Sequence, residues 1–199
     1  SIGEASFYKC SRLNFTQSPL LLPLRTELPA KVFLGCESLT QEVVFSDALA
    51  SMGSEAFSGA AVTRVHLGAT LDAIPYRAFF RCLSLVEVRG GEGVRSIGPY
   101  AFYEDTALLN LTFDGASTAS IGKAAFYKCS RLRFTQDPLV LPLLTQLPAQ
   151  TLLACAALTR EVIFSDALAS MGSEAFSGAA VTRVHLGATL DAIPYRAFF

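Results

Sequence analysis

The 22 residues Met52–Ala73, which read MGSEAFSGAAVTRVHLGATLDA, contain the unit from which the fold can be predicted. The apolar residues of its first part, including Ala56 and Phe57, are spaced to lie on one side of a short helical turn. Val65 and Leu67 then alternate with polar residues, which is the period-2 pattern of a strand with one solvated face. A unit this small cannot bury its own apolar face, so we expect it to stack on similar units.

The same pattern recurs along the whole chain. It begins at Ile2, Leu28, Met52, Ile74, Ile97, Ile121, Leu147, Met171 and Ile193, at spacings of 22 to 26 residues. Residues 1–80 also align without gaps to residues 120–199 with 15 differences, and Phe45–Phe80 is identical to Phe164–Phe199. A period of 20–29 residues with regular apolar positions is typical of a leucine-rich solenoid. We therefore predict one array over 1–199, with eight complete repeats and a stub, and we expect it to be a fragment of a longer array.

Composition and charge exclude several classes of protein. Hydrophobic residues make up 51% of the chain and charged residues 17%, which is the opposite of a disordered chain. The net charge of −1 provides no basic surplus for a nucleic-acid backbone, so no nucleic acid is expected as a partner. Residues 138–159 are uncharged and long enough to cross a bilayer, but they contain three prolines. The equivalent residues 19–40 carry four charges, so we predict no membrane span.

Two stretches connect the repeats to a known family. They are IGEASFYKCSRL, beginning at Ile2, and IPYRAFFRCLSLVEV, beginning at Ile74. Their pattern, I-G-x-x-A-F-x-x-C-x-x-L-x-x-V-x-L, resembles the BspA-like leucine-rich repeat, also called the Treponema pallidum type, and AFSGAAVTRVHL resembles its short variant. Two departures are that the repeats at Leu28 and Leu147 lack the I-G start, and that Leu152 replaces the usual phenylalanine.

The resemblance implies a fold and a function. The fold is a right-handed leucine-rich repeat solenoid, an α/β repeat dominated by β-structure. Its parallel sheet lies on the concave face, with short helices or turns on the opposite side. The function is that of a cell-surface or secreted protein with an adhesive or protein-binding role. The repeats at Ile2 and Ile121 carry a leucine- and proline-rich insertion, so their strand register is not fixed by the pattern.

All five cysteines occupy one position of the repeat: Cys10, Cys36, Cys82, Cys129 and Cys155. Other repeats have alanine there, which indicates a small buried site with free thiols. Neighbouring strands lie about 4.7–4.9 Å apart, within reach of a disulfide, so bridges between the first two and the last two cysteines stay an alternative. One repeat has Asp105 at this position, and we expect its side chain to turn outward or to cap a helix.

The residues give no support for catalysis. His66 and His185 are the two histidines, and they stand 119 residues apart at equivalent positions, too far to share a metal or a proton. No cysteine or histidine spacing suggests zinc, and no nucleophile accompanies either histidine. The glycine-rich RGGEGVRS, residues 89–96, is interpreted as a turn rather than a phosphate loop. We predict a protein that is not an enzyme and that uses no cofactor or metal.

Outward residues of the strands are expected to form two columns across the sheet. The first contains Glu42, Arg64, Glu87 and Asn110 and, later in the chain, Glu161 and Arg183. The second contains Val44, His66, Arg89 and Thr112 and, later, Ile163 and His185. The first is either a charge ladder that holds the strands in register or a contact patch for a partner. The second is either a recognition surface or an ordinary solvated sheet face.

We expect a non-catalytic interaction or adhesion module that binds a protein of unknown identity through this face. The alternatives are an intracellular scaffold or spacer, and the recognition domain of a larger enzyme. Sequons at Asn14 and Asn110 favour a surface or secreted location if they are glycosylated rather than coincidental. The duplicated block Phe45–Phe80 predicts multivalent binding.

Overall fold

The computed structural model describes residues 2–13, 15–22, 26–113, 117–158 and 161–199, which form a β-solenoid of about seven turns. Repeats are numbered 1 to 8 by the order of their starts. In chain order the strands are β1 (Leu20–Leu22), β2 (Glu27–Leu28), β3 (Glu42–Phe45), β4 (Ser51–Met52), β5 (Arg64–His66), β6 (Ala73–Ile74), β7 (Glu87–Gly91), β8 (Ser96–Ile97), β9 (Asn110–Phe113), β10 (Ser120–Ile121), β11 (Arg133–Phe134), β12 (Leu139–Leu141), β13 (Gln146–Leu147), β14 (Glu161–Phe164), β15 (Ser170–Met171) and β16 (Arg183–His185).

The long strands of successive repeats pair in parallel and form two long-strand sheets. The first has the order β1-β3-β5-β7-β9-β11 and the second the order β12-β14-β16. Val43, Val65 and Val88 point from these strands into the core, and their neighbours along each strand face outward. Repeat 6 contributes to both sheets, because β11 pairs with the preceding repeat and β12 with the following one. The bend at residues 135–138 separates them, which accounts for the extra length of this repeat.

Two-residue strands at the repeat starts form a second set, the short-strand sheets β2-β4, β6-β8-β10 and β13-β15. A sheet continues where glycine follows the repeat start, because its N–H donates to the preceding repeat, as Gly122 does to the Ile97 carbonyl at 2.7 Å. It ends where Pro75 or Pro148 takes that place, since proline has no N–H. Glycine is also required for space: a Cβ on Gly122 would lie 2.3 Å from the nitrogen of Pro99.

A six-residue turn row follows each repeat start, and no helix occurs among the described residues. Of the helices or turns that the resemblance allows, the molecule therefore has turns; its handedness stays a prediction. Each row contains two positive-φ residues, such as Arg77 at 51° and Arg81 at 56°, which interrupt helical hydrogen bonding. Instead, three N–H groups donate to the next repeat, and in repeat 4 these belong to Arg77, Phe79 and Arg81, at 2.8 to 3.1 Å. Successive turn rows therefore lie as close together as successive strands do. A helix is about twice as wide as that distance and would not fit in each repeat.

One phenylalanine of each turn row points into the core and stacks on its counterpart in the next repeat. Ring centroids are 5.1 to 5.5 Å apart along Phe7, Phe33, Phe57, Phe79, Phe102 and Phe126. This phenylalanine column stops at Leu152, which is buried in the same place. It resumes with Phe176 and Phe198, 5.2 Å apart.

The thiols lie beside this column. All five are free, so the interpretation of free thiols is confirmed, and neither of the two bridges forms; four are buried, and Cys10 is partly exposed. Each buried Sγ donates to the carbonyl of the phenylalanine in the preceding repeat at 2.9 to 3.1 Å, as Cys82 does to Phe57. Burial raises the pKa of Cys36 to about 11. These thiols therefore act as small buried donors between repeats.

Asp105 corrects an expectation, since it neither turns outward nor caps a helix. Its side chain is fully buried in the cysteine position of repeat 5. Oδ1 accepts the N–H of Cys82 at 2.7 Å, and Oδ2 has no hydrogen-bond partner. Burial raises the pKa of this carboxyl well above its usual range. A neutral carboxyl fits this buried position better than a carboxylate, because burying an unpaired charge costs far more than burying a neutral polar group.

The uncharged segment 138–159 also has a defined place in the solenoid. Its described residues form β12, β13 and the turn row of repeat 7, and residue 159 lies outside the described part. Across the described ranges no helix has the length and apolar character needed to cross a membrane.

Candidate functional site

The first predicted column forms on the outward face of the first long-strand sheet. Glu42, Arg64, Glu87 and Asn110 occupy directly paired positions on β3, β5, β7 and β9. Arg133 on β11 extends the column by one residue, which the sequence did not indicate because the register of repeat 6 was open. In the second sheet, Glu161 on β14 pairs with Arg183 on β16.

Ion pairs within this column follow two directions. Arg64 Nε lies 3.2 Å from Glu42 Oε2 on the neighbouring strand, which is one rung of the expected charge ladder. Glu87 Oε1 instead lies 2.9 Å from Arg89 Nε on its own strand, and this hydrogen bond raises the pKa of Arg89. Both arginine side chains are more than half exposed, at 57% and 65%. Such pairs contribute little to stability and leave the charged groups accessible to a partner.

The second column follows the expected register as far as Arg89. Val44, His66 and Arg89 pair directly across β3, β5 and β7. Thr112 has no one-to-one partner on β7, because the register shifts between Val88 and Gly91 and leaves both Arg89 and Gly90 opposite it. An extra residue, Gly90, stands there with φ of 73°, which is a bulge conformation that glycine adopts without strain.

This bulge opens a cleft of about 340 Å³ on the sheet face, hereafter the bulge cleft. It is lined by Asp47, His66, Leu67, Ala69, Arg89, Gly90, Glu92 and Thr112. Three predicted residues are thus brought together with two carboxylates that sequence reasoning did not select. Glycine is needed at position 90, since a Cβ there would lie 2.4 Å from the carbonyl oxygen of Leu67. Asp47, His66 and Glu92 are not placed so that together they could hold a metal ion, and neither is any other group of three such side chains in the described ranges.

The second copy places its equivalent residues in different contacts. Nε2 of His185 lies 2.6 Å from Oε1 of Glu161. Glu161 and Arg183 also line a separate cleft of about 360 Å³, together with Asp137, Pro138 and Thr182. The structure therefore places five predicted residues in clefts: His66, Arg89 and Thr112 line the bulge cleft, and Glu161 and Arg183 line the second one. The others, Glu42, Arg64, Glu87, Asn110 and His185, lie outside both clefts.

The sequon at Asn110 lies within this face. Asn110 and Thr112 both lie half-buried on β9, with the fully buried Leu111 between them. The other sequon asparagine, Asn14, lies outside the described residues.

Sequence reasoning missed a second surface, on the outward side of the turn rows. The residues that follow A-F or its variant in each repeat form the outer column: Tyr8, Leu34, Ser58, Phe80, Tyr103, Tyr127, Leu153, Ser177 and Phe199. Phe80, Tyr103 and Tyr127 stack at centroid distances of 5.1 and 4.5 Å. The guanidinium of Arg77 lies 4.7 Å from the centre of the Phe80 ring. Comparing the residue that follows A-F in successive repeats would have indicated this column.

Comparisons with known proteins agree with the repeat reading. The model of the BspA type leucine rich repeat region matches residues 26–142 and 137–199, in six copies. A leucine rich repeat protein of T. pallidum has a similar solved structure, with a TM-score of 0.65 and 24% identity over 80% of this chain and 76% of that one. This likeness supports the fold alone. No curated protein matches the chain.

Two further solved structures are more distant. A leucine rich cell surface protein of Faecalibacterium prausnitzii has a TM-score of 0.40 and 15% identity, over 92% of this chain and 74% of that one. A leucine-rich repeat protein of Bacteroides ovatus has a TM-score of 0.40 and 18% identity, over 95% of this chain and 71% of that one. Neither score is high enough to support an argument.

Proposed function

Because the chain belongs to the BspA type leucine rich repeat family, whose repeats generally serve as protein-interaction or surface modules, we propose that it is a non-catalytic module that binds a partner protein. The binding surface is the outward face of its long-strand sheets. The bulge cleft is the centre of that surface, and the two columns of polar residues surround it.

The observation that carries this proposal is the bulge cleft. His66, Arg89 and Thr112 meet there beside Asp47 and Glu92, so one concave site presents an imidazole, a guanidinium, a hydroxyl and two carboxylates. Arginine is enriched in protein interfaces, and polar groups in a cleft fix the orientation of a partner. The remaining residues of the surface are Glu42, Arg64, Glu87, Asn110, Glu161, Arg183 and His185.

A photo-reactive amino acid at position 66 tests the surface directly. Its matched control carries the same group at Lys123, an exposed residue of a turn row. With surface proteins of the source organism, position 66 is expected to give one discrete cross-linked protein, and position 123 none. The identified partner should then bind Arg89→Glu at least tenfold more weakly than the parent and bind Lys123→Glu unchanged, as measured by calorimetry.

Equal cross-linking from both positions, or from neither, would overturn the proposal. Full affinity of the Arg89→Glu variant for the partner would also overturn it, because reversing a charge at the centre of an interface must weaken binding.

Two copies of the block that includes His66 also support multivalent binding. Calorimetry with the identified partner should give two sites per chain with unequal affinities, since His185 contacts Glu161 and lies outside the bulge cleft. His66→Ala and His185→Ala should each weaken one site. A single site per chain that is insensitive to His185→Ala would contradict this part.

A surface or secreted location belongs to the same proposal. It is supported by the sequon, whose Asn110 and Thr112 both lie half-buried on β9 rather than in the core. Mass spectrometry of protein from its native source should find glycan on Asn110. Unmodified Asn110 in protein recovered from the cytosolic fraction would contradict this location.

A further inference from the structure

A notch opens on the outward side of the turn rows, between repeats 2 and 4. Its volume is about 480 Å³, and it is lined by Leu34, Gly35, Glu37, Ser58, Gly59, Ala60, Ala61, Phe80, Arg81, Leu83 and Ser84. Its floor consists of the small residues of repeat 3. Leu34 forms one wall, and Phe80 with Leu83 forms the other. This surface is separate from the long-strand sheets.

The notch exists because repeat 3 lacks side chains that other repeats carry. Ser58 is its member of the outer column, where the following three repeats have aromatic rings. Gly59 fills a positive-φ position, with φ of 67°, at which repeats 4 and 6 present Arg81 and Lys128. A Cβ on Gly59 would meet nothing closer than 3.8 Å, so the space above the floor is open.

The gap has the size of one ring in the outer column. Tyr103 lies between Phe80 and Tyr127, with centroids 5.1 Å from one ring and 4.5 Å from the other. Leu34 and Phe80 are likewise two repeats apart, which is about 10 Å at the strand spacing. The side of Phe80 that faces repeat 3 borders the notch, where Ser58 leaves it without a stacking ring.

The two walls carry opposite charges. Glu37 is exposed on the side of repeat 2, and Arg81 is exposed on the side of repeat 4. Nε of Arg81 lies 3.3 Å from Oε2 of Glu104 in repeat 5, on the side of Arg81 that faces away from the notch. The side chain of Arg81 is still 57% exposed. A chain segment that crosses the notch along the solenoid would therefore match it best with a basic residue near Glu37 and an acidic residue near Arg81.

We propose that the notch binds an aromatic side chain of a partner polypeptide, which stacks on Phe80 and completes the outer column. A basic neighbour of that side chain faces Glu37, and an acidic neighbour faces Arg81. Aromatic rings that fill apolar pockets with a polar rim are common anchors of protein interfaces, because they bury a large area at low entropic cost.

The chain contains no tryptophan, which provides a direct measurement. The probe is the peptide acetyl-Gly-Lys-Trp-Asp-Gly-amide. Its tryptophan is excited at a wavelength that the tyrosines of the protein do not absorb, so the emission comes from the peptide alone. Titration with the whole chain should shift the emission to shorter wavelength and saturate. The peptide with leucine in place of tryptophan should compete at least tenfold more weakly, because it cannot stack on Phe80.

Position 58 offers a matched pair of variants. In Ser58→Phe the protein's own side chain fills the notch, so the affinity for the tryptophan peptide should fall at least tenfold. Ser58→Ala leaves the notch open and should bind within twofold of the parent. Lys123→Phe, at an exposed position on the turn row of repeat 6, tests whether an added aromatic ring alone has an effect, and it should also bind within twofold. Glu37→Lys should weaken binding severalfold, and circular dichroism of each variant confirms the fold.

Three results would overturn the proposal: no saturable emission shift, equal competition by the leucine peptide, or unchanged affinity of Ser58→Phe. Analytical sedimentation of the chain alone tests whether a second copy of the chain, rather than a partner, occupies the notch. If the parent self-associates and Ser58→Phe is monomeric, a second copy of the chain fills the notch, and the assignment to a partner is wrong.

Discussion

The junction between repeats 4 and 5 and the junction between repeats 6 and 7 are built from one motif but held together differently. At the first, β6 pairs with β8, β7 pairs with β9, and Phe79 stacks on Phe102 with centroids 5.3 Å apart. At the second, β12 pairs with β14, but Pro148 ends the short-strand sheet and Phe126 is followed by Leu152. The turn rows are hydrogen-bonded at both.

Two positions of the repeat account for this difference. Glycine or proline after the repeat start decides whether a short-strand sheet continues, and phenylalanine or leucine in the turn row decides whether rings stack. Solenoid stability is a sum of neighbour interfaces, so single residues set the strength of each junction.

The largest expected effect comes from Phe102→Ala, which removes a ring that stacks on both Phe79 and Phe126. It should lower the free energy of unfolding by about 3–5 kcal/mol and weaken the first junction below the second. Phe198→Ala is the control, because Phe198 stacks on Phe176 alone and is 44% exposed. Urea denaturation measures both, and an equal loss would contradict the role of double stacking.

Gly98→Ala tests the short-strand sheet at the same junction. A Cβ there would lie 2.7 Å from the carbonyl carbon of Pro75, so the backbones of repeats 4 and 5 must separate. The free energy of unfolding should fall by about 1–3 kcal/mol. In Gly3→Ala the new Cβ meets its nearest atom at 3.6 Å, and that variant should unfold like the parent. Similar denaturation midpoints for the two variants would show that close approach is unimportant.

Asp105 makes the first junction sensitive to pH. Its pKa is raised by burial, so above pH 4 the unfolded chain releases a proton that the folded chain keeps. Stability therefore falls as pH rises from the unfolded pKa towards the folded one, with a slope of at most about 1.4 kcal/mol per pH unit. Asp105→Cys restores the thiol of the other repeats and should remove this slope. The stability difference between variant and parent should grow from pH 4 to 7; a constant difference would mean that the carboxyl does not titrate as argued.

Leu152→Phe should strengthen the second junction. The added ring would lie between Phe126 and Phe176 and join the two parts of the phenylalanine column. The free energy of unfolding should rise by about 0.5–1.5 kcal/mol, because phenylalanine forms aromatic pairs that leucine does not. Leu153→Phe adds a ring to the neighbouring, half-exposed residue and should gain less. If both variants gain equally, ring stacking within the core is not the cause.

The solenoid was predictable because its signals repeat. The spacing of Val65 and Val88, and of Phe57 and Phe79, required stacked strands in a fixed register. The absence of helices from the described part of the chain was not predictable. Arg77 and Arg81 are ordinary helix-forming residues, yet here they adopt positive φ and their N–H groups donate to the next repeat. Asp105 was misplaced because burial of a protonated acid depends on neighbours that no local pattern encodes.

The candidate surface was predictable in its columns but not in its shape. Pairing of Glu42 with Arg64 follows from their equivalent positions in successive repeats. The bulge at Gly90 adds a residue that the spacing does not reveal, and it creates the cleft around His66. The notch was missed because Ser58 is unremarkable alone and becomes a gap only beside Phe80 and Tyr103.

The bonds of the turn rows have a mechanical consequence. They run between successive repeats, so a force that pulls the two ends of the chain apart loads them one row at a time rather than all together. The molecule should therefore unzip repeat by repeat at low force. Each step frees 22 to 26 residues, or roughly 75–90 Å of extended chain. Because each repeat contacts only its neighbours, we expect the chain to lengthen under load in nearly equal increments, one repeat at a time.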